Sequence, residues 1–256
     1  MQREGARSGI SATTTTLSLL SWNVRGAGHP QLVDWVLGYR SDVIVLVDCG
    51  RGRIREVVAR LGDAGYPSCL LSGAEDPRSL LIASHHRLSA GSITGAPMRE
   101  RWLHAVIPSL GIEVGAVYLP LELVRDRERK RRFWSWLDDA AGDLATRPSL
   151  LVGDLNTGND ELDRSGGARY RCADAFDRLA ARGWRDLYRE LSASGRAYSW
   201  WSRAGNGYRI DHCLASPAAR SWRPQSVAYL PGDGISDHAA LAVELRLLSE
   251  ANGNPV

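Results

Sequence analysis

Eight polar side chains stand at the ends of short apolar runs. Asn23 closes LSLLSWN, Asp48 follows DVIVLV, and Tyr118 ends the run before Leu119-Pro120. Asp154 and Asn156 follow SLLVG, Asp211 lies inside Tyr208–Ala215, and Asp237 and His238 precede the final run Ala239–Leu247. Taken singly, an Asp after a strand is a turn former or a helix cap. Together the set offers carboxylates that take protons or hold hard cations, carboxamides that donate hydrogen bonds, and a histidine that charges near neutrality. A rigid strand end is where such groups are held most firmly.

The elements that must position them read as strands alternating with helices. Leu17–Asn23 and Asp42–Val47 are expected as buried strands, because both are short, apolar and bounded by polar or Gly residues. Helical spacing marks His29–Tyr39 and Arg53–Leu61. Strand signals follow at Tyr66–Leu71, Ser79–Ser84, Leu88–Thr94, Trp102–Pro108 and Ile112–Leu119, mostly punctuated by Gly or Pro. Arg125–Leu144 predicts a long helix with Phe133, Trp136, Leu137 and Ala140 on one face. A strand over Ser149–Gly153, a helix over Asp174–Ala181 and four strands near Ala197–Ser202, Tyr208–Ala215, Trp222–Tyr229 and Ala239–Leu247 complete the pattern. This α/β pattern predicts two mixed sheets packed face to face with helices outside. A single domain over residues 17–248 is expected, with polar tails at 1–16 and 249–256.

Composition excludes several classes. The 256 residues are 44% hydrophobic and 24% charged, which rules out coiled-coil, collagen-like and wholly disordered chains. No apolar window is long enough to span a membrane, and the first residues lack an apolar signal core. Cys49, Cys69, Cys172 and Cys213 form no paired motif and read as thiols of a cytoplasmic protein. The net charge of +3 is too small to announce a nucleic-acid partner by itself.

Four segments carry a specific resemblance. Ser21-Trp22-Asn23-Val24-Arg25-Gly26, Gly153-Asp154-Leu155-Asn156, Tyr208-Arg209-Ile210-Asp211-His212 and Ser236-Asp237-His238 resemble, in order and spacing, those of the endonuclease/exonuclease/phosphatase superfamily. The resemblance implies a four-layer, deoxyribonuclease I-like sandwich with its active site at one edge of the sheets. It implies roles too. Asn23, Asp48 and Asp237 would serve the metal site, with Mg²⁺ expected and Mn²⁺ the alternative. Tyr118 would contact the phosphate. Asp154 would position or activate water, Asn156 would hydrogen-bond the phosphoryl oxygens, and Asp211 would orient a charged His238. These roles suit phosphodiester hydrolysis, where a cation, an imidazolium and amide donors meet developing negative charge.

The C-terminal third most resembles the exonuclease III type of abasic endonuclease. By that likeness Trp200, Tyr208 and Ile210 would line a slot for a flipped-out deoxyribose. Two positions depart from the family. Val47-Asp48 stands where Gln-Glu is usual, so the carboxylate loses a methylene of reach, and Arg25 replaces a residue that is acidic in some members and would contact a substrate phosphate instead. The expectation is a monomeric, metal-dependent DNA endonuclease or exonuclease. The alternatives are a hydrolase of a small or lipid-headgroup phosphoester, and a catalytically weak relative that binds nucleic acid or protein. The Arg125–Arg132 run reads either as a solvated helix face or as a backbone contact to nucleic acid. His29, His85, His86 and His104 match no expected site position, and His212 should point away from Asp211.

Overall fold

Period-two alternation along the strands sets the layers. The computed structural model describes residues 14–50, 53–73, 78–121 and 127–248. Along β1 (Thr14–Asn23), Leu17 and Leu19 face one apolar cluster while Leu20 and Trp22 face another. After α1 (Leu32–Gly38), the same division runs along β2 (Val43–Cys49): Val43, Val45 and Val47 face one side, Ile44 and Leu46 the other. These strands are buried on both faces, which is why they read as continuous apolar runs.

The chain continues through α2 (Ile54–Asp63), β3 (Ser68–Leu71), β4 (Ser79–Ser84), β5 (Ser89–Ala90), β6 (Trp102–Ile107) and β7 (Ile112–Tyr118). Then come α3 (Arg127–Ala145), β8 (Ser149–Asp154), α4 (Ala173–Ala181), β9 (Arg185–Asp186) and α5 (Leu187–Leu191). Last are β10 (Trp200–Trp201), β11 (Gly207–Tyr208), β12 (Asp211–Ala215), β13 (Arg223–Leu230) and β14 (Ala240–Leu248). One six-stranded sheet has the order β13-β14-β1-β2-β4-β3, and the other β5-β6-β7-β8-β12-β9. Their facing sides share one apolar cluster. A second cluster joins the first sheet to α1 and α2, and a third joins the other sheet to α3 and α4. The result is the expected four-layer α/β sandwich. Each fully buried Leu, Val or Ile contributes about 1.5–3 kcal/mol to holding the layers together.

Register brings the polar strand ends to one edge. β1 runs parallel to β2 with Asn23 opposite Val47, and β7 runs parallel to β8 with Tyr118 opposite Asp154. β12 is antiparallel to β8 and begins at Asp211, directly opposite Asp154. β14 is antiparallel to β1 and begins just after His238. C-terminal ends of parallel strands therefore meet N-terminal ends of antiparallel ones.

Several elements differ from their sequence expectation. β1 starts at Thr14, three residues before Leu17, because Thr14–Thr16 pair with Leu248, Leu247 and Arg246 of β14. The remainder of both expected tails lies outside the described residues. The Leu88–Thr94 run keeps only Ser89–Ala90 as strand. Tyr208–Ala215 divides, with Gly207–Tyr208 pairing β10 in a two-stranded ribbon while Asp211–Ala215 joins the main sheet. On α3, Trp134 is buried and Trp136 only half-buried, packed edge-on against Trp102 and Phe133. All four cysteines are free, and none of the helices among the described residues is long and apolar enough to cross a membrane.

Candidate active site

Asp154, the last residue of β8, is the centre of the converging groups. It is buried and takes three hydrogen bonds: Asn156 N–H to Oδ1 (2.8 Å), and the Nδ2 groups of Asn23 (2.9 Å) and Asn156 (3.2 Å) to Oδ2. Such bonds favour the ionised form. Burial and the neighbouring Asp211 outweigh them, and the carboxyl is pushed up to about 7. Gly153 makes this approach possible. Its φ is +132°, and a Cβ there would meet Val117 O of β7 at 2.2 Å.

Asp211 and His238 complete a compact group. His238 Nδ1 lies 2.8 Å from Asp211 Oδ2. Burial alone would favour a neutral ring, yet the charge and hydrogen bond of Asp211, with Asp154 beyond it, raise His238 to about 9. The imidazole is thus a cation at neutral pH, with Nδ1 committed and Nε2–H left as donor. Each partner is itself held. Tyr229 OH donates to Asp211 O (2.7 Å), Trp22 Nε1 donates to His238 O (2.9 Å), and Ser199 Oγ accepts from the N–H groups of Ile210 and Asp211. Ser236 Oγ donates to Asn23 O (2.7 Å) and accepts from His238 N–H (3.1 Å), which ties the end of β1 to the approach of β14.

Asp48 and Tyr118 form the neighbouring part of the site. A register shift against β4 between Leu46 and Cys49 leaves Asp48 in a left-handed conformation (φ 59°), a bulge that re-aims its side chain. Asp48 is half-buried and accepts from the Tyr118 hydroxyl. Burial raises its proton affinity, although the charges of Arg78, Arg101 and His238 oppose the rise. The buried Tyr118 phenol is pushed up to about 12 by desolvation and by Asp154 and Asp48, so it remains a donor.

The fit to a divalent cation follows from these oxygens. Asp154, Asp211 and His238 offer ligand atoms within 4.8 Å of one another, and Asp211 Oδ1 is buried without a hydrogen-bond partner. Asp211 Oδ2 and His238 Nδ1 are already bonded to each other, so this trio suits proton and charge handling better than a cage. The half-buried Asp48 carboxylate and the Asn23 carboxamide supply the hard oxygen atoms that Mg²⁺ takes. The residues present fit the cation.

Other expected residues occupy varied places. Asp237 is exposed and pairs with Arg25 (Nε–Oδ1 3.9 Å), so neither belongs to the three-residue cluster. The Asn156 amide does not point outward: Nδ2 donates to Leu119 O (2.8 Å) and to Asp154, so Asn156 braces Asp154. Trp200 and Tyr208 pair across the β10–β11 ribbon with ring centroids 5.8 Å apart, and Trp200 bridges to His238. Ile210 is buried. His212 points away, as expected, with Nε2 2.8 Å from Thr157 O and its ring against Phe176.

Sequence reasoning missed four supporting groups. Lys130, the one lysine of the chain, is buried on α3 and donates to Asn156 O (2.7 Å). Its rarity was the available signal. Arg209 sits buried between Asp163 (2.8 Å) and Asp186 (2.6 Å), two residues before the start of β12 at Asp211. Arg78 donates to Tyr118 OH (3.2 Å), and the Arg101 guanidinium lies 4.3 Å over the Tyr118 ring. Arg78 directly precedes β4 and Arg101 directly precedes β6, and no motif marks either of them.

The chain is similar to a solved structure of the 3′ phosphatase NExo from Neisseria bound to product DNA hairpin (21% identity, TM-score 0.75). It is also similar to an AP endonuclease from Archaeoglobus fulgidus (20%, 0.73) and to the 3′-5′ exonuclease NExo from Neisseria meningitidis (20%, 0.72). Each alignment covers 89% of this chain and 98% of the other. At such identity the likeness is one of fold. No curated protein sequence matches the chain. The family model described as Endonuclease/Exonuclease/phosphatase family matches residues 20–238, a span that runs from the end of β1 through His238 and takes in every converging side chain. The chain therefore belongs to the endonuclease/exonuclease/phosphatase family.

Proposed function

We propose that the protein is a divalent-cation-dependent phosphodiesterase acting on DNA, in the manner of exonuclease III-type enzymes, with abasic-site incision as its reaction. The observation that carries this reading is the Asp154–Asp211–His238 group at the sheet edge. Phosphorus is attacked directly by water, with no covalent enzyme intermediate. Asp154, whose proton affinity is poised near neutrality, orients the water and takes its proton as the new P–O bond forms. Positioned proton transfer of this kind contributes about 10²–10⁴ in rate. His238, held charged by Asp211, donates from Nε2 to the oxygens that gain negative charge as the P–O bond to the leaving group breaks. Asn23 and Asn156 fix the Asp154 carboxylate, and the Tyr118 hydroxyl donates at the Asp48 side. Asp48, with Asn23 and with Asp237 outside them, would hold Mg²⁺ or Mn²⁺, whose contribution is Lewis-acid neutralisation of phosphate charge. Trp200, which pairs with His238 across an isolated bridge, and Tyr208, whose ring lies 5.8 Å from that of Trp200, support recognition of an extruded sugar. The protein is read as a cytoplasmic monomer.

The test is a panel of end-labelled substrates: a duplex with one abasic site, an intact duplex, a single strand and a small chromogenic phosphodiester, each with Mg²⁺ or EDTA. Metal-dependent incision at the abasic site is expected. Turnover of the small ester alone would move the assignment to a small-phosphoester hydrolase. No turnover of any substrate by folded protein would overturn the enzymatic reading.

A further inference from the structure

The loop that carries His238 is gripped by two indoles, one of them on a helix outside the sheets. Between β13 and β14 the chain reads Pro231-Gly232-Asp233-Gly234-Ile235-Ser236-Asp237-His238-Ala239. Asp233 and Gly234 take left-handed backbone angles (φ 46° and 79°), and Ile235 N–H donates to Gly232 O (2.7 Å), which makes a tight turn with Asp-Gly at its centre. Trp22, fully buried on β1, donates from Nε1 to His238 O (2.9 Å). Its ring packs so closely on Gly232 that a Cβ there would come within 2.9 Å of Trp22 Cζ2. Trp35, half-buried on α1, lies against Trp22 with ring centroids 4.2 Å apart and planes inclined by 36°. Its Nε1 donates to Asp233 Oδ2 (2.9 Å). The two indole N–H groups thus hold the loop at the Asp233 turn and at His238. An indole has two side-chain torsions, so a packed pair with both N–H groups committed is a stiff connection. Stiffness matters at His238, because its Nδ1 must stay 2.8 Å from Asp211 Oδ2. A slide of the Trp22 ring displaces the backbone that sets this distance, and a misplacement of about 1 Å costs on the order of a hundredfold in rate. Trp35 lies outside the four motif segments.

We propose that Trp35 is a positioning residue for His238: through Trp22 and Asp233 it fixes the loop that presents the imidazole to the substrate. This rests on the reading of His238 as the donor to developing negative charge, and it assigns part of that donor's placement to α1. The action is indirect, and its two routes separate chemically. The Trp35 ring supports Trp22, and the Trp35 N–H restrains Asp233. Asp233 is exposed, so it can be substituted without disturbing the core.

The test uses the full chain and three readouts: single-turnover cleavage of an abasic duplex in Mg²⁺, affinity for the same duplex in EDTA, and amide hydrogen exchange of residues 231–239. Trp35→Phe keeps a ring against Trp22 and removes the donor. It should slow cleavage about fivefold and leave duplex affinity within about twofold. Trp35→Leu removes both routes and should slow cleavage about thirtyfold, with affinity again little changed. Asp233→Ala should match Trp35→Phe, and the Trp35→Phe/Asp233→Ala double variant should be no slower than either single one, because both remove the same bond. Asp233→Asn keeps an oxygen acceptor and should cleave at the wild-type rate. Exchange of 231–239 should quicken in Trp35→Phe and Trp35→Leu and stay slow in Asp233→Asn, with melting temperatures showing each variant folded. Unchanged exchange in Trp35→Leu would overturn the inference by itself. So would a wild-type cleavage rate in Trp35→Leu, a loss carried by duplex affinity alone, or an Asp233→Asn protein as slow as Asp233→Ala. If the wild type cleaves no DNA, the catalytic reading fails, while the exchange pattern still decides whether Trp35 holds the loop.

Discussion

At the scale of single residues, burial and like charge set the behaviour of the site. Asp154 keeps three hydrogen-bond donors and still titrates near 7, because desolvation and Asp211 outweigh them. Asp154→Asn should therefore raise the melting temperature at pH 8, by removing a buried charge, while abolishing turnover; a scanning calorimeter checks the first half. His238 gives a second expectation. Its proton affinity is raised from the ordinary 6.5 to about 9 by Asp211, so the folded state prefers the charged ring. That contribution is complete below pH 6.5 and is lost as pH rises through 9, an effect of a few kcal/mol. Stability should fall between pH 6.5 and 9 by denaturant titration, and Asp211→Asn should flatten the His238 share of the fall. An equally steep fall in Asp211→Asn would refute the pairing. Asp154 and His238 were legible in the sequence because they flank apolar runs, and Asp211, read inside its strand, because its segment resembles a family motif. Arg78 and Arg101 were not, since long side chains reach the site from a turn and a short 3-10 segment that carry no apolar pattern.

At the scale of elements, close approach and buried charge decide where the strand ends lie. Gly153 lets β8 pass Val117 O on β7 without a Cβ between them. Gly153→Ala should cost about 2–3 kcal/mol by overpacking and backbone strain, read as a lowered denaturation midpoint with an unchanged m-value. Arg209 ties Asp163 to Asp186, the residue whose carboxylate caps α5 through Tyr188 and Arg189 N–H. Removing one member of a buried ion group typically costs about 3–5 kcal/mol, so Arg209→Met should destabilise by that order and loosen the segment that leads into Asp211. An Arg209→Met protein as stable as wild type would show the network to be dispensable. The buried strands were readable as short continuous apolar runs and the amphipathic helices from their period. β9 and α5 were missed because two and five residues are too short to express a period. Tyr208–Ala215 was read as one strand because nothing local marks the point where pairing passes from the β10–β11 ribbon to the main sheet.

At the scale of the whole molecule, parallel and antiparallel pairing bring residues from opposite ends of the chain, Asn23 and Ser236 among them, to one edge of the sandwich. The four-layer architecture was legible from alternating strand and helix signals, and the order of strands was not, because order is fixed by cross-chain pairing. The start of α3 belongs to this edge. Lys130 reaches inward to Asn156, while Arg129 and Arg131 are exposed on either side of it. Arg125 and Asp126, the first two residues of the expected basic run, lie outside the described residues. Reversing Arg129 and Arg131 to Glu should weaken duplex binding and flatten its salt dependence by about one unit of log–log slope for each phosphate no longer neutralised. An unaltered slope would make them a solvated face. The most direct test of the central claim is single-turnover cleavage of an abasic duplex in Mg²⁺ by wild type, Asp154→Asn, Asp211→Asn and His238→Gln, all shown to be folded. The account predicts metal-dependent incision by wild type and a loss of at least about a hundredfold in each variant. Incision that survives the loss of Asp154 or His238 would contradict it.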